Sequence, residues 1–471
     1  MSAHTPSFPF PFVSTTKEKT IPIIVLTPDS LSKLKNKTDK PLLHANGFKG
    51  HAGQTYVCFS TQGDLKKIYV GTSSPMGLYD LSHVSEKIKS LEIDKKTVFE
   101  LSGIKKGDEE NACIAWALAC HAKDQYKSTK SKDTSPKLLL PKSVNKTRVQ
   151  AHIQSICLVR DLINMPANDL GPEELANFSS SIAKSHKAKV KIIENQKTLE
   201  KDFPLVYTVG KASDRIPRLI DITWGKTTAP KVTLVGKGVI FDTGGLNIKP
   251  GGPMKNMKKD MGGAAHVLGL ANIIMAMKLP IRLRVIIPAV ENAISGPAFR
   301  PGDILNSRKG LTVENTNTDA EGRLILADAL TLATEEKTDL IIDCATLTGS
   351  ARAAMGPDVP AFFSTSEKVG KDIQAQSFKS DDPLWQMPLL ERYNKFIESP
   401  IADLVNSASV PGDLIYSALF LKKFLNGTPD WVHLDMNAWN DRPIPGRPAG
   451  GADSSVRSLY AYLEKRFSKI S

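Results

Sequence analysis

The chain has 471 residues, 41% of them hydrophobic and 24% charged, the make-up of an ordinary globular protein with room for two or three domains. Its five cysteines, Cys58, Cys113, Cys120, Cys157 and Cys344, are odd in number, scattered and without a CxxC pair. That argues against a disulfide framework or a thiolate zinc site and for a reducing compartment. The net charge is +13, and residues 1–150 hold 23 Lys and Arg against 14 Asp and Glu. Such an excess admits contact with nucleic acid, but the lysines lack interleaved aromatic residues, so a well-solvated surface is the simpler reading.

In chain order, residues 1–13 alternate phenylalanine with proline and lack a basic segment followed by an apolar one, so they make a poor signal peptide. No run of about 18 apolar residues follows, so no membrane span is expected and a cytoplasmic location is. Residues 21–27, 56–60 and 67–70 read as strands, and 108–122 as a helix with Ala, Trp and Leu on one face. The polar stretch 123–137 reads as an exposed loop or linker. Val149, Ile153, Ile156, Val159 and Ile163 recur at helical spacing, which predicts a long helix over about 145–164, ended by Pro166. Beyond it, apolar strands at 232–235, 239–241, 283–290, 340–344 and 431–436 alternate with helices at 262–277, 324–336 and 414–425. The expectation is an α/β protein: a smaller N-terminal α/β domain over 1–144, a linking helix over 145–165, and a larger domain over 166–471. The larger domain is expected to be α/β/α, with a mixed, largely parallel central sheet covered on both faces.

Ligands of such sheets bind at the carboxyl ends of strands, and these ends are polar and glycine-rich. They carry Gly236-Lys237-Gly238, then Asp242-Thr-Gly-Gly245, Lys249, Asp260, Asp319 and Glu321. If the loops converge, four carboxylates share one place, and like charges so packed cannot all stay ionised without a counter-charge. Two divalent cations would supply it, and paired metals are a known arrangement for hydrolysis. Each piece alone has a plainer meaning. Thr318-x-x-Glu321 before an apolar run is a capping-box pattern, Asp260 suits a first helical turn, and Lys237 and Lys249 read as surface lysines. Gly236-Lys237-Gly238 lacks the rest of a phosphate loop. His266, inside an alanine-rich segment, reads as a satisfied histidine rather than a ligand.

Together, the block from Val235 to Lys249, the run Met254-x-x-Met257-x-x-Asp260-Met-Gly-Gly-Ala-Ala265 and the octapeptide Asn317-Thr-Asp-Ala-Glu-Gly-Arg-Leu324 resemble the leucyl (cytosol) aminopeptidases. Shorter matches lie at 160–169, 300–303 and 345–349. The resemblance is clear from about residue 150 onward, and implies a metallo-aminopeptidase acting on peptides. By resemblance the metal ligands are Lys237, Asp242, Asp260, Asp319 and Glu321, holding two divalent ions, Mn²⁺ or Zn²⁺. The catalytic positions are Lys249, which stabilises the oxyanion formed when a metal-bridging water attacks, and Arg323, which holds a bicarbonate-type base. The pocket for the first residue takes Met257, Thr346, Gly349, Asn437 and Asn440. The family pattern departs at Ser409-Val-Pro-Gly-Asp413 and at Asn437 and Asn440, whose polar groups imply a pocket less suited to leucine. The resemblance further implies a homo-hexamer. A nucleic-acid-binding regulatory role on the same scaffold, through the basic N-terminal domain, is the alternative, as an added role.

Overall fold

A computed structural model describes residues 8, 10–91, 93–94, 96–121, 126–129, 135–427 and 429–468. The described residues form two compact units, one of residues 8–157 with 442–449 and the other of 158–441 with 450–468. The division falls inside the long helix Lys146–Asn164.

The first unit is built on β1 (Phe12–Val13), β2 (Ile21–Leu26), β3 (Thr55–Phe59), β4 (Leu65–Gly71), β5 (Val98–Ser102) and β6 (Lys137–Leu139). They form one sheet in the order β1-β6-β5-β2-β4-β3, with only β3 antiparallel to its neighbour. Helix Glu109–Cys120 is apolar nearly all round and correspondingly buried; Trp116 packs on Phe99 and donates its indole N–H to the Pro136 carbonyl at 3.0 Å. Three of these strands and this helix lie where the sequence places them. β1, β5 and β6 are too short or too polar to announce themselves. Residues 123–125 and 130–134 of the expected loop lie outside the described residues, as do residues 1–7 and 9 of the N-terminal stretch, while Lys137 begins β6.

The second unit contributes β7 (Lys189–Ile193), β8 (Arg218–Trp224), β9 (Lys231–Gly236), β10 (Gly238–Asp242), β11 (Arg282–Asn292), β12 (Ile304–Asn306), β13 (Thr312–Glu314), β14 (Leu340–Ala345), β15 (Ala361–Ser364), β16 (Trp385–Gln386), β17 (Leu404–Val405) and β18 (Trp431–Asp435). Nine of them make the main sheet, in the order β16-β15-β18-β14-β9-β11-β8-β7 with β10 also on β11. The middle is parallel: β18 on β14, β14 on β9, and β9 and β10 on β11. Antiparallel pairs appear towards the edges, β8 on β11, β7 on β8 and β15 on β18. Every residue of β14 and β18 is buried, which is why these strands are mainly apolar on both faces. Two polar exceptions pair with one another: Asp343 contacts His433 Nδ1, directly across the β14–β18 register, at 2.5 Å, and also accepts from Trp431 Nε1 at 2.6 Å.

Alternation along β9 shows the covering on both faces. Val235 joins the cluster made by helices Glu321–Thr334 and Asp413–Lys422. Its neighbour Gly236 instead lies against Val267 and Ala264 of helix Gly262–Ala276, where a Cβ would come within 2.5 Å of Val267 Cγ2. The sheet is therefore sandwiched, with the carboxyl ends of β9, β10, β11, β14 and β18 opening toward the same loops.

Candidate metal centre

The backbone brings the charged groups together before any side chain acts. Lys237, after β9, donates its N–H to Cys344 at the end of β14 at 3.0 Å and accepts from Ala264 N at 2.9 Å. Its side chain runs inward, buried, and its Nζ donates to the Thr346 carbonyl at 2.9 Å while lying 2.7 Å from Asp260 Oδ2 and 2.9 Å from Glu321 Oε1. Asp242 ends β10, and its Oδ1 accepts from Gly244 N at 2.9 Å and Asn292 Nδ2 at 2.8 Å. Its Oδ2 is 2.8 Å from Lys249 Nζ, which also pairs with Asp319. Asp260 sits in the tight turn Met257–Met261, where Thr346 Oγ1 reaches its Oδ1 at 2.8 Å.

Glu321 is the first residue of helix Glu321–Thr334, and the capping-box reading fails here. The N-cap position is Ala320, with no side-chain cap. Thr318 Oγ1 instead donates to the Gly244 carbonyl at 2.6 Å and accepts from Asn247 N at 2.8 Å, stitching the two acidic loops together. Glu321 is thereby free to turn inward, and its neighbour must be small: a Cβ on Gly322 would lie 2.4 Å from Lys237 Cε.

Oxygens of Asp242, Asp319 and Glu321 all lie within 4.8 Å of one another. Burial, joined by the charge of Asp242, pushes Asp319 up to about 6 and Glu321 up to about 8. Burial works against the Lys237 ammonium, but Asp260, Glu321 and Asp242 outweigh it and hold its pKa above the usual lysine range. Lys249 is held up in the same way, burial being outweighed chiefly by Asp242. Four carboxylates thus face two ammonium groups, and the buried Glu321 Oε2 has no hydrogen-bond partner among the described residues. An all-oxygen set with an amine beside it, short of positive charge and with an orphaned oxygen, fits divalent cations.

The other expected residues fall around this cluster. Met257 opens the turn that carries Asp260 and is half-buried. Thr346 holds Asp260, and Gly349 begins the helix after the Thr346 loop, exposed. Asn437 is buried, with its amide spent within the protein: Nδ2 donates to the Trp439 carbonyl at 2.8 Å and Oδ1 accepts from Lys259 Nζ at 3.1 Å. Asn440 lies in a two-residue strand paired with Gly450. Arg323 is tied elsewhere, to the Asn406 carbonyl at 2.8 Å and Asp413 at 3.0 Å, over the Tyr416 ring; its buried Nε has no partner among the described residues. His266 is satisfied as expected, with Nδ1 2.7 Å from the Gly262 carbonyl and Nε2 accepting from Ser454 N at 3.1 Å.

Four residues escaped the sequence reading. Asn292 bridges Asp242 and the Thr318 carbonyl; its place at the end of an apolar strand was the available signal. Asp413 pairs with Arg323, Asp435 accepts from Leu347 N, Thr348 N and Thr348 Oγ1, and Lys259 grips Asn437. Burial lowers Lys259 to about 8.

Comparison with known proteins places this arrangement. Residues 157–460 match the "Cytosol aminopeptidase family, catalytic domain" and residues 21–141 the "M17 aminopeptidase, N-terminal domain". The chain belongs to the cytosol aminopeptidase family. A crystal structure of the family's Coxiella burnetii cytosol aminopeptidase is 44% identical, with a TM-score of 0.90 over 97% of this chain and 99% of that one. The bottromycin maturation enzyme BotP in complex with Mn is 29% identical, with a TM-score of 0.84 over 95% and 99%. A probable cytosol aminopeptidase of Chlamydia caviae is 42% identical over 323 residues, 67% of this chain and 65% of that protein. That match covers slightly less than two thirds of the curated relative's length.

Proposed function

We propose that the chain is a metal-dependent aminopeptidase that removes the first residue of peptides. The observation that carries the reading is the convergence of Asp242, Asp319 and Glu321 oxygens within 4.8 Å, beside Lys237 and Asp260 and with Glu321 Oε2 orphaned. Asp242, Asp319 and Glu321 would hold one divalent ion, and Lys237, Asp242, Asp260 and Glu321 a second. For Lys237 to serve, its amine must give up the proton that the carboxylates now keep on it. When bound, such ions supply a water acidic enough to attack a carbonyl at neutral pH and a Lewis acid to polarise that carbonyl. Manganese bound to BotP and the family name support this.

The chain's own residues do the rest. Lys249 points its ammonium at Asp242 and Asp319; with cations to neutralise those carboxylates it would be free to stabilise the oxyanion of a reacting peptide carbonyl. Arg323 commits one donor on each terminal nitrogen to Asn406 and Asp413; its buried Nε, without a partner among the described residues, would be a donor for a bicarbonate-type oxyanion, whose chemistry is to carry the proton. Thr346 fixes Asp260 and, through its carbonyl, Lys237. The substrate's free α-amine would bind at one of the two ions, and an internal peptide bond offers no such amine, which would make the enzyme an exopeptidase.

No helix among the described residues is long and apolar enough to cross a membrane, and the relatives' names support a cytoplasmic setting. The test is a pair of peptides, one with a free amine and one N-acetylated, given to the Mn²⁺-loaded protein and to Glu321→Ala. The intact protein should cleave the free peptide alone, and Glu321→Ala neither. Equal cleavage of the blocked peptide, or full turnover by Glu321→Ala, would refute the proposal.

A further inference from the structure

The turn that carries Asp260 also carries two lysines, and the structure uses them differently. Lys258 Nζ donates to the Asn164 carbonyl at 2.7 Å and lies 5.8 Å from the centre of the Trp439 ring. It braces the segment after β18. Lys259 Nζ donates to the Asn437 carbonyl at 2.7 Å and to Asn437 Oδ1 at 3.1 Å. Asn437 gives one of its two amide hydrogens to Trp439 and its side-chain oxygen to Lys259, so it presents no spare acceptor oxygen of its own amide along that edge. The lysine keeps a spare donor. An ammonium has three donors, two go to Asn437, and the third has no protein partner among the described residues.

The surroundings make that donor part of a wall beside the metal centre. Met257 lies two residues before Lys259 in the same turn, and each keeps part of its surface exposed. Thr346 stands on Asp260. Gly262 is wedged between Thr346 and Ala438: a Cβ there would lie 2.6 Å from Ala438 Cβ and 3.0 Å from Thr346 Cγ2. Segment 437–438, the Thr346 loop and the Met257–Met261 turn therefore meet around the Asp260 carboxylate. The Arg352 guanidinium, from the helix after the Thr346 loop, is near enough to act on Lys259 electrostatically, with Asp260 and Asp435 opposing it.

We propose that Lys259 is a specificity determinant, donating its remaining N–H to a side-chain oxygen of the substrate's first residue, so that the chain prefers N-terminal Gln or Glu to apolar residues of similar size. An apolar side chain lying over this donor would leave it buried without an acceptor, and a site built around a donor discriminates against analogues lacking the acceptor. The proposal rests on the aminopeptidase reading, since only a substrate held by its amine at the carboxylate cluster sets its first side chain against this turn.

The experiment measures kcat/KM of the full, Mn²⁺-loaded chain on the p-nitroanilides of Gln, Glu, Met and Leu, for the natural protein, Lys259→Met and Lys259→Arg. Met is the near-isostere of Gln and Glu without a strong acceptor. The natural protein should favour Gln or Glu over Met by about tenfold or more. Lys259→Met should lower that ratio by a similar factor, and Lys259→Arg should keep the preference. Whether Glu exceeds Gln reports the part played by charge, and either order supports the proposal. A natural protein that prefers Met and Leu overturns it without any variant, as does an unchanged ratio in a folded Lys259→Met. Release from none of the four substrates would instead overturn the aminopeptidase reading, and this proposal with it.

Discussion

Glu321 spends one carboxylate oxygen on Lys237 and leaves the other without a donor, an arrangement a buried site tolerates poorly unless a cation completes it. With Asp319 pushed up to about 6 and Glu321 up to about 8 by burial and by Asp242, the metal-free centre retains protons near neutrality. Metal binding needs those carboxylates ionised, so it must expel protons, and apparent affinity must rise with pH, most steeply below about 6 and less steeply between about 6 and 8. Calorimetry of Mn²⁺ or Zn²⁺ binding in buffers of different ionisation enthalpy should show that proton release; equal heats in all buffers would contradict it. Gly322→Ala should force the Lys237 side chain aside, costing about 1–3 kcal/mol in chemical denaturation and weakening metal binding. Arg323 gives a separate test. If its Nε holds the base, turnover in carbonate-free buffer should rise on adding bicarbonate, and Arg323→Ala should lose that response. The polar loops at the strand ends were visible in the sequence, but alone Asp260 and Glu321 read as helix-start acids and Lys237 as a surface lysine, and only the family resemblance gave them a shared role. Asn292 and Asp413 were not legible, because each acts on a partner many residues away, a relation that only the folded chain creates.

At the level of elements, the buried parallel strands were the most legible, since burial on both faces leaves mainly apolar segments in β9, β11, β14 and β18. The edges were not: β7 is half exposed and carries lysines, and β8 mixes Arg, Asp and Thr with its apolar residues. The apparent capping box at Thr318 misled for a physical reason. Thr318 satisfies the Asn247 N–H and Gly244 carbonyl of another loop, so its hydroxyl is unavailable to its own helix. The short turn Met257–Met261 had no periodicity to reveal it, yet it sets Asp260 and Lys259 in place. The Thr346 loop is held in turn by Asp435, the last residue of β18, through three donors. Asp435→Ala would strand buried N–H groups, at about 1–3 kcal/mol for each left unsatisfied. It should raise KM more than it lowers kcat, as steady-state kinetics on the folded variant would show.

For the whole molecule, the α/β class and the larger sheet followed from strand and helix alternation, whereas strand order did not, because pairing across the sheet leaves no mark on local sequence. All the charged residues of the centre come from the second unit. The hexamer implied by the family resemblance is a statement about mass: light scattering should find six copies of the 51.3-kDa chain, and a monomer at working concentrations would contradict it. The central claim is that the carboxylate cluster is a two-ion centre on which hydrolysis depends. Its most direct test strips the protein with a chelator, restores Mn²⁺ or Zn²⁺ in steps, and follows bound metal and release from an aminoacyl anilide together. Activity should vanish with the metal and return in full at two ions per chain; undiminished release by the metal-free protein would contradict the account.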